Sequence, residues 1–155
     1  MKRIFFLFTF LTSVSLFAQN VDDFIQLLKS DVQSDKITII TQVMMFTDQQ
    51  SEKFWPIYNE FSNELSKLSD KRIANIKDFA ANFDSLTDNK ANQLINNAFD
   101  FQENRLNLNK KYFGKIADAI GTTVAAKFMQ LEYEIQLIID LSVNSSLPLA
   151  KKPGE

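Results

Sequence analysis

The stretch FTDQQSEKFWPIYNEF, residues 46–61, decides how the chain is read. Thr47 followed three residues later by Gln50 has the form of a capping box. The Thr hydroxyl accepts from one orphan N–H of the helix start, and the Gln side chain accepts from the N–H of the cap itself. Phe54, Ile57, Tyr58 and Phe61 then recur at steps of three and four, the period of one helix face. Pro56 falls well past the first turn. It has no N–H for the carbonyl of Glu52 and its ring crowds that carbonyl, so the helix is expected to bend or restart there. Trp55 is rotated off the Phe54–Phe61 stripe, which leaves two readings. It either covers a neighbouring helix or a dimer partner, or it offers a second, partly apolar surface to something outside the fold.

The same period continues on both sides. Beyond Phe61 the stripe runs through Leu65, Leu68, Ile73, Ile76, Phe79 and Phe83, so the helix opened at Thr47 extends to about Asn82. Before it, Val21 to Phe46 carries Phe24, Leu27 and Leu28, then Ile37, Ile40, Val43 and Met44, with an interruption expected near Ser34-Asp35. A third segment, Thr87 to Ile120, places Ala91, Leu94, Ala98, Phe101, Arg105 or Leu106, Tyr112, Ile116 and Ala119 on one stripe. Gly121 is suited to end it in the left-handed conformation. A fourth begins after Thr122 or Thr123 with Val124, Phe128, Leu131, Ile135, Ile138 and Leu141, and fades at Asn144-Ser145-Ser146. Turns and strand punctuation need Gly and Pro, and the chain has only three of each. The fold class expected is all-α: long antiparallel helices in an elongated hairpin or bundle.

The N-terminus has another character. In MKRIFFLFTFLTSVSLFAQN, Lys2 and Arg3 form a positive n-region, Ile4 to Phe17 an apolar h-region, and Ala18 the small residue required before a cut at Gln19. The expected division is therefore a signal peptide over 1–18, a helical domain over 19–144 and a disordered tail over 145–155. The location expected is periplasmic or secreted, with an uncleaved N-terminal anchor as the alternative. Export permits disulfides, yet the chain contains no cysteine, so packing alone must hold it. Cleavage would remove Lys2 and Arg3 and no acid, leaving 15 cations against 19 acids, a formal −4. That balance argues against nucleic acid and against charge-held membrane binding as partners.

With no histidine and no cysteine, most nucleophile–base pairs and zinc sites are closed to this chain. Carboxylates one or two turns apart occur, Glu60 with Glu64 and Glu132 with Asp140, but carboxylate metal sites in bundles add Glu-x-x-His motifs and none is possible. Met44, Met45 and Met129 read as core filling rather than as soft-metal ligands. No catalytic residue, cofactor or metal is expected, and no enzyme.

MMFTDQQSEKFWPIYNEF, residues 44–61, also resembles the motif of the LTXXQ family, the Spy/CpxP-like periplasmic proteins. It is most similar to the Bacteroidetes-type branch labelled "sensor of ECF-type sigma factor". The residues that carry the resemblance are Phe46, Thr47, Gln50, Phe54, Trp55, Pro56 and Tyr58, with a second copy at Leu86 and Thr87. Phe46 stands where the family has Leu, and Lys90 where it has Gln. The resemblance implies an elongated, often dimeric helical domain with a concave face, serving envelope-stress signalling or ATP-independent chaperoning. The histidine-rich metal sites of some relatives have no counterpart here, and the basic residues of chaperone cradles meet an acidic chain. A basic strip from Lys67, Lys71, Arg72 and Lys77 with Arg105, Lys110, Lys111 and Lys115 is the nearest equivalent; the alternative is an ordinary solvated face. Trp55, Lys67, Lys71, Arg72, Arg105 and Lys111 are the candidate partner-binding residues. The function expected is a periplasmic helical binding protein, either a stress-sensor accessory or a holdase-type chaperone acting on unfolded clients, and a homodimer. The alternatives are a structural homodimer without a client and, more weakly, a metal-responsive sensor.

Overall fold

The computed structural model describes residues 35–151, and there the chain is all-α. Helix α1 occupies 35–44, α2 Asp48–Asn82, α3 Asp88–Ile120 and α4 Thr122–Ser145, with a single 3-10 turn at Phe83–Ser85 between α2 and α3. The signal peptide, the interruption sought before Asp35 and the stripe of Phe24, Leu27 and Leu28 lie outside the described residues.

The helix starts follow the side chains that cap them. The Thr47 hydroxyl accepts from the Gln50 N–H at 3.2 Å, and the Thr47 N–H donates to Gln50 Oε1 at 3.1 Å, so both halves of the capping box are made. Thr87 repeats the first half, its hydroxyl accepting from the Lys90 N–H at 3.3 Å. Each cap satisfies donors that the helix leaves unpaired, at about 1 kcal/mol apiece. Helix α2 then passes Pro56 without restarting. Pro56 and Glu52 both lie on the exposed side, so the carbonyl that loses its donor faces water.

Gly121 closes α3 and opens α4. Its N–H donates to the Ala117 carbonyl at 2.9 Å, and its own carbonyl accepts from the Ala125 N–H at 3.0 Å. With φ 97° and ψ 145° it has the positive φ foreseen, but in an extended region open only to glycine rather than in the left-handed helical well. Neither Thr122 nor Thr123 caps α4, which starts directly on this glycine. Across this one-residue link Arg105 of α3 reaches Gln136 and Asp140 of α4, so α4 folds back antiparallel to α3.

Backbone contacts join α2 to α3 and α3 to α4. Helix α1 bridges α2 and α4. Lys36 meets Glu132 while Lys127 donates to the Val43 carbonyl at 2.7 Å, so α1 runs antiparallel to α4. At this end Ile40, Met44, Phe54, Tyr58, Phe61, Leu65, Leu108, Tyr112, Ile116, Ala125 and Phe128 form the main core. Phe54 and Phe61 both meet Phe128 edge-on, with centroids 5.0 and 6.2 Å apart. The far half has a much smaller cluster of Ile73, Ile76 and Val143, against which Leu147 packs.

Two stripes differ from expectation. In α3 the buried positions are Leu94, Phe101, Leu108, Tyr112 and Ile116; Leu106 is exposed and Arg105 turns toward α4. In α4 the buried positions are Ala125, Phe128, Glu132 and Val143, while Ile138 and Leu141 face out. Helix α4 is apolar around most of its circumference, so its period alone left the face undetermined.

Candidate binding surface

Helix α3 has two outer seams of opposite character. Along the seam with α2, Lys111 reaches Glu64 at 2.8 Å and Lys115 reaches Glu60 at 2.7 Å. The Tyr112 hydroxyl donates to Glu64 at 3.0 Å. Hydrogen bonds first from Lys111 and then from Tyr112 hold the Glu64 carboxyl below the usual carboxylate range. Asn75 donates to the Leu94 carbonyl at 3.0 Å and accepts from Asn97 at 2.9 Å. Lys67 and Lys71 stand exposed beside shallow hollows on this seam. Glu60 and Glu64, one turn apart, are thus each held by a lysine of α3.

The seam between α3 and α4 is apolar. Arg105 reaches Gln136 and Asp140, which fixes the level of the two helices. One step further round each helix, on the side away from the core, lie Leu106 on α3 and Leu137 and Leu141 on α4. Phe99 is 62 % exposed, Leu106 53 %, Tyr133 63 % and Leu141 71 %. Ile95, Leu137 and the half-buried Phe113 lengthen the strip. On α3 the positions 95, 99, 102, 106, 109 and 113 alternate by four and three, the spacing of a helix face that packs against another helix. Gln102 and Asn109 are its polar members. Isolated exposed apolar residues are ordinary, but a contiguous strip marks an interaction surface.

Trp55 is half-buried on the rim of the main core. Its indole meets Phe54 edge-on at 5.2 Å and Tyr58 at 5.5 Å. Phe46 closes over Phe54 at 4.4 Å. The motif residues Phe46, Thr47, Gln50, Phe54, Trp55 and Tyr58 therefore build the junction of α1 and α2. Tyr58 is buried, and desolvation together with the Glu132 charge pushes its hydroxyl up to about 12, against a hydrogen bond with Ser62.

Arg72 and Arg105 are brought together, but on the inner side of the bundle. Arg72 Nη1 lies 2.6 Å from Asp140 Oδ1 and Arg105 Nη2 lies 2.9 Å from Asp140 Oδ2. The two guanidiniums both approach the Phe101 ring, at 5.1 and 5.2 Å from its centroid. Beside them opens a cavity of about 510 Å³, lined among others by Ile76, Phe79, Leu86, Leu94, Ile95, Ala98 and Val143. Leu147 and Ala150, from the segment after α4, complete its wall, and Lys151 anchors that segment to Asp84 at 2.5 Å. The basic strip of the sequence is thus divided: Arg72 lines this cavity, Arg105 shares its Asp140 partner, Lys111 is paired on the α2 seam, and Lys67 and Lys71 remain exposed.

Neither the apolar seam nor the cavity was singled out in the sequence. The signal for the seam was present in the four-three alternation from Ile95 to Phe113, displaced from the buried stripe. The cavity depends on where α4 ends and how the following segment returns, for which no local pattern exists. Among the described residues no helix is long and apolar enough to cross a membrane. The chain matches no protein-family profile, no curated protein and no solved structure.

Proposed function

We propose that this chain is a non-enzymatic helical binding protein that holds apolar segments of other proteins along the α3–α4 seam. As an exported, Spy/CpxP-like protein it would act in the periplasm, as a holdase-type chaperone or as a stress-sensor accessory. The observation that carries the reading is the strip of Phe99, Leu106, Tyr133, Leu137 and Leu141, all exposed on two adjacent helices. An extended or helical client can lay its own apolar side chains there without any change in the core. No ATP site or nucleophile is required. The acidic Glu103 and Glu134 beside the strip bias it toward neutral or basic segments.

Aggregation of a chemically unfolded test protein, followed by light scattering, tests the reading. Suppression at near-stoichiometric ratio is expected, together with its loss in Leu106→Glu and Leu137→Glu chains whose helicity is unchanged. Absence of protection by the unaltered chain overturns it.

A second reading has its own observation. Phe99, Glu103, Leu106, Lys110 and Phe113 are arranged nearly symmetrically about Leu106, and Glu103 and Lys110 are both exposed. Two antiparallel copies of α3 crossing there would set Phe99 against Phe113 and Glu103 against Lys110, in both directions at once. In that case the strip is buried in a homodimer. Sedimentation distinguishes the two: Glu103→Lys and Lys110→Glu should each dissociate such a dimer, and the double exchange should restore it. A monomer at all concentrations removes the second reading.

A further inference from the structure

The cavity at the far end of the bundle has a chemistry distinct from that of the seam. Its wall is apolar over Ile76, Phe79, Leu94, Ile95, Ala98 and Val143, and Arg72 is the one charged side chain among its described lining residues. Arg72 shares its carboxylate partner. Asp140 carries one negative charge and faces two guanidiniums, Arg72 at 2.6 Å and Arg105 at 2.9 Å, so the cluster has a formal charge of +1. That excess sits where little water reaches: the two arginine side chains are 15 % exposed and Asp140 18 %. Electrostatic attraction is stronger in such surroundings than on an open surface. A cation would be repelled there, and a purely apolar molecule would leave the excess uncompensated. The ligand that answers both the wall and the charge has an alkyl chain and an anionic head.

We propose that this cavity binds a single-chain anionic amphiphile, a long-chain carboxylate. Its chain lies along Ile76, Phe79, Leu94 and Ile95, and its head group meets the Arg72 guanidinium at the Phe101 end. The volume, about 510 Å³, lies within the roughly 300–1,000 Å³ common to small-molecule sites. A guanidinium is the cation best matched to a carboxylate, since its planar donors can engage both oxygens. The site adds a small-molecule ligand to a protein whose proposed partners are other proteins, and of the seam strip it shares only Ile95 and Gln102, at the strip's far end.

Calorimetric titration of the full chain with sodium laurate, held below its micelle concentration, tests this directly. One saturable site is expected. Sodium octanoate, four methylenes shorter, should bind roughly 250-fold more weakly, since each buried methylene contributes about fourfold. Dodecyltrimethylammonium, with the same chain and the opposite charge, should bind at least tenfold more weakly. Arg72→Gln leaves Asp140 paired with Arg105 and should weaken laurate about tenfold, from loss of a charge-assisted hydrogen bond. Ala98→Phe fills the cavity and should abolish binding while circular dichroism stays unchanged. Equal affinity for the anionic and cationic chains, laurate binding unaffected by Ala98→Phe, or no saturable binding would each overturn the proposal. Should either variant fail to fold, the comparison of the two dodecyl amphiphiles on the unaltered protein still decides.

Discussion

Lys36 Nζ lies 2.6 Å from Glu132 Oε1 between two side chains that are only 7 % and 1 % exposed, joining α1 to α4 inside the core. Gln136 donates to the same carboxylate oxygen at 3.1 Å, and Glu132 Oε2 finds no hydrogen-bond partner among the described residues. The Lys36 ammonium also stands 6.0 Å from the centre of the Phe61 ring. A buried pair of this kind gains little net stability because both ions lose hydration, whereas removing one partner strands the other. Lys36→Met and Glu132→Leu should therefore each destabilise the fold by about 3 kcal/mol, and the double replacement should return to within about 1 kcal/mol of the original. Urea denaturation of the four chains checks this. Additive losses in the double variant would show that the two side chains do not act as a pair.

The same environment predicts how stability falls at high pH. Burial, aided by the Glu132 charge, pushes the Tyr58 hydroxyl up to about 12. Desolvation, and a hydrogen bond to Glu64, push Tyr112 up to about 12 as well. In the unfolded chain both ionise near 10, so between pH 10 and 12 the unfolded state releases protons that the folded state retains. The stabilisation is complete below pH 10 and is lost progressively as pH rises toward 12. Thermal melts across that window should show a steep decline, reduced in Tyr58→Phe. An equally steep decline in that variant would mean that Tyr58 does not contribute to it.

Two backbone positions predict opposite responses to substitution. Met45, which ends α1, has φ 48° and is 78 % exposed, so its side chain contributes little while its backbone occupies a region that favours glycine. Met45→Gly should stabilise the protein by about 0.5–1 kcal/mol. At Gly121 an added Cβ meets nothing within 4 Å, so any loss in Gly121→Ala comes from φ 97° alone. That loss should be about 2 kcal/mol, the order of cost for a non-glycine residue in such a conformation. Equilibrium unfolding of both variants reads the two signs. A neutral Gly121→Ala would show that the α3–α4 link relaxes to another geometry.

How much of this was legible in the sequence depended on how local the cause was. Thr47 with Gln50, Thr87 and Gly121 act through their own backbone neighbours, and each marks a helix boundary where the sequence placed it. Faces were harder. Helix α4 offers apolar residues on nearly every side, and its buried face includes Glu132, a residue whose charge argues for exposure until its partner Lys36 is seen. Leu108 falls outside the expected stripe because Arg105, four residues after Phe101, takes the next step of the period. The cation cluster was visible as composition, but the sharing of Asp140 by Arg72 and Arg105 joins three helices and has no signature in any one of them.

Pro56 remains the position where local rule and observed helix are most at odds, and this makes it informative. Helix α2 continues from Asp48 to Asn82 through the proline, with Ser51 donating to the Thr47 carbonyl at 2.8 Å ahead of it. The Glu52 carbonyl gives up its intrahelical donor on the exposed side, where water can replace it, so the cost is below the roughly 3 kcal/mol of a proline inside a buried helix. Pro56→Ala restores that donor and should raise stability by about 1–2 kcal/mol. The neighbouring indole reports on any change of curvature. Trp55 packs edge-on against Phe54 and Tyr58, so straightening α2 at this point would move it off the rim of the core and shift its emission to longer wavelength. A stabilised variant with unchanged emission would mean that the proline leaves the packing alone. A destabilised variant with red-shifted emission would mean that the proline sets the geometry in which Trp55, Phe54 and Tyr58 fit together, and that α2 tolerates the lost hydrogen bond for that reason.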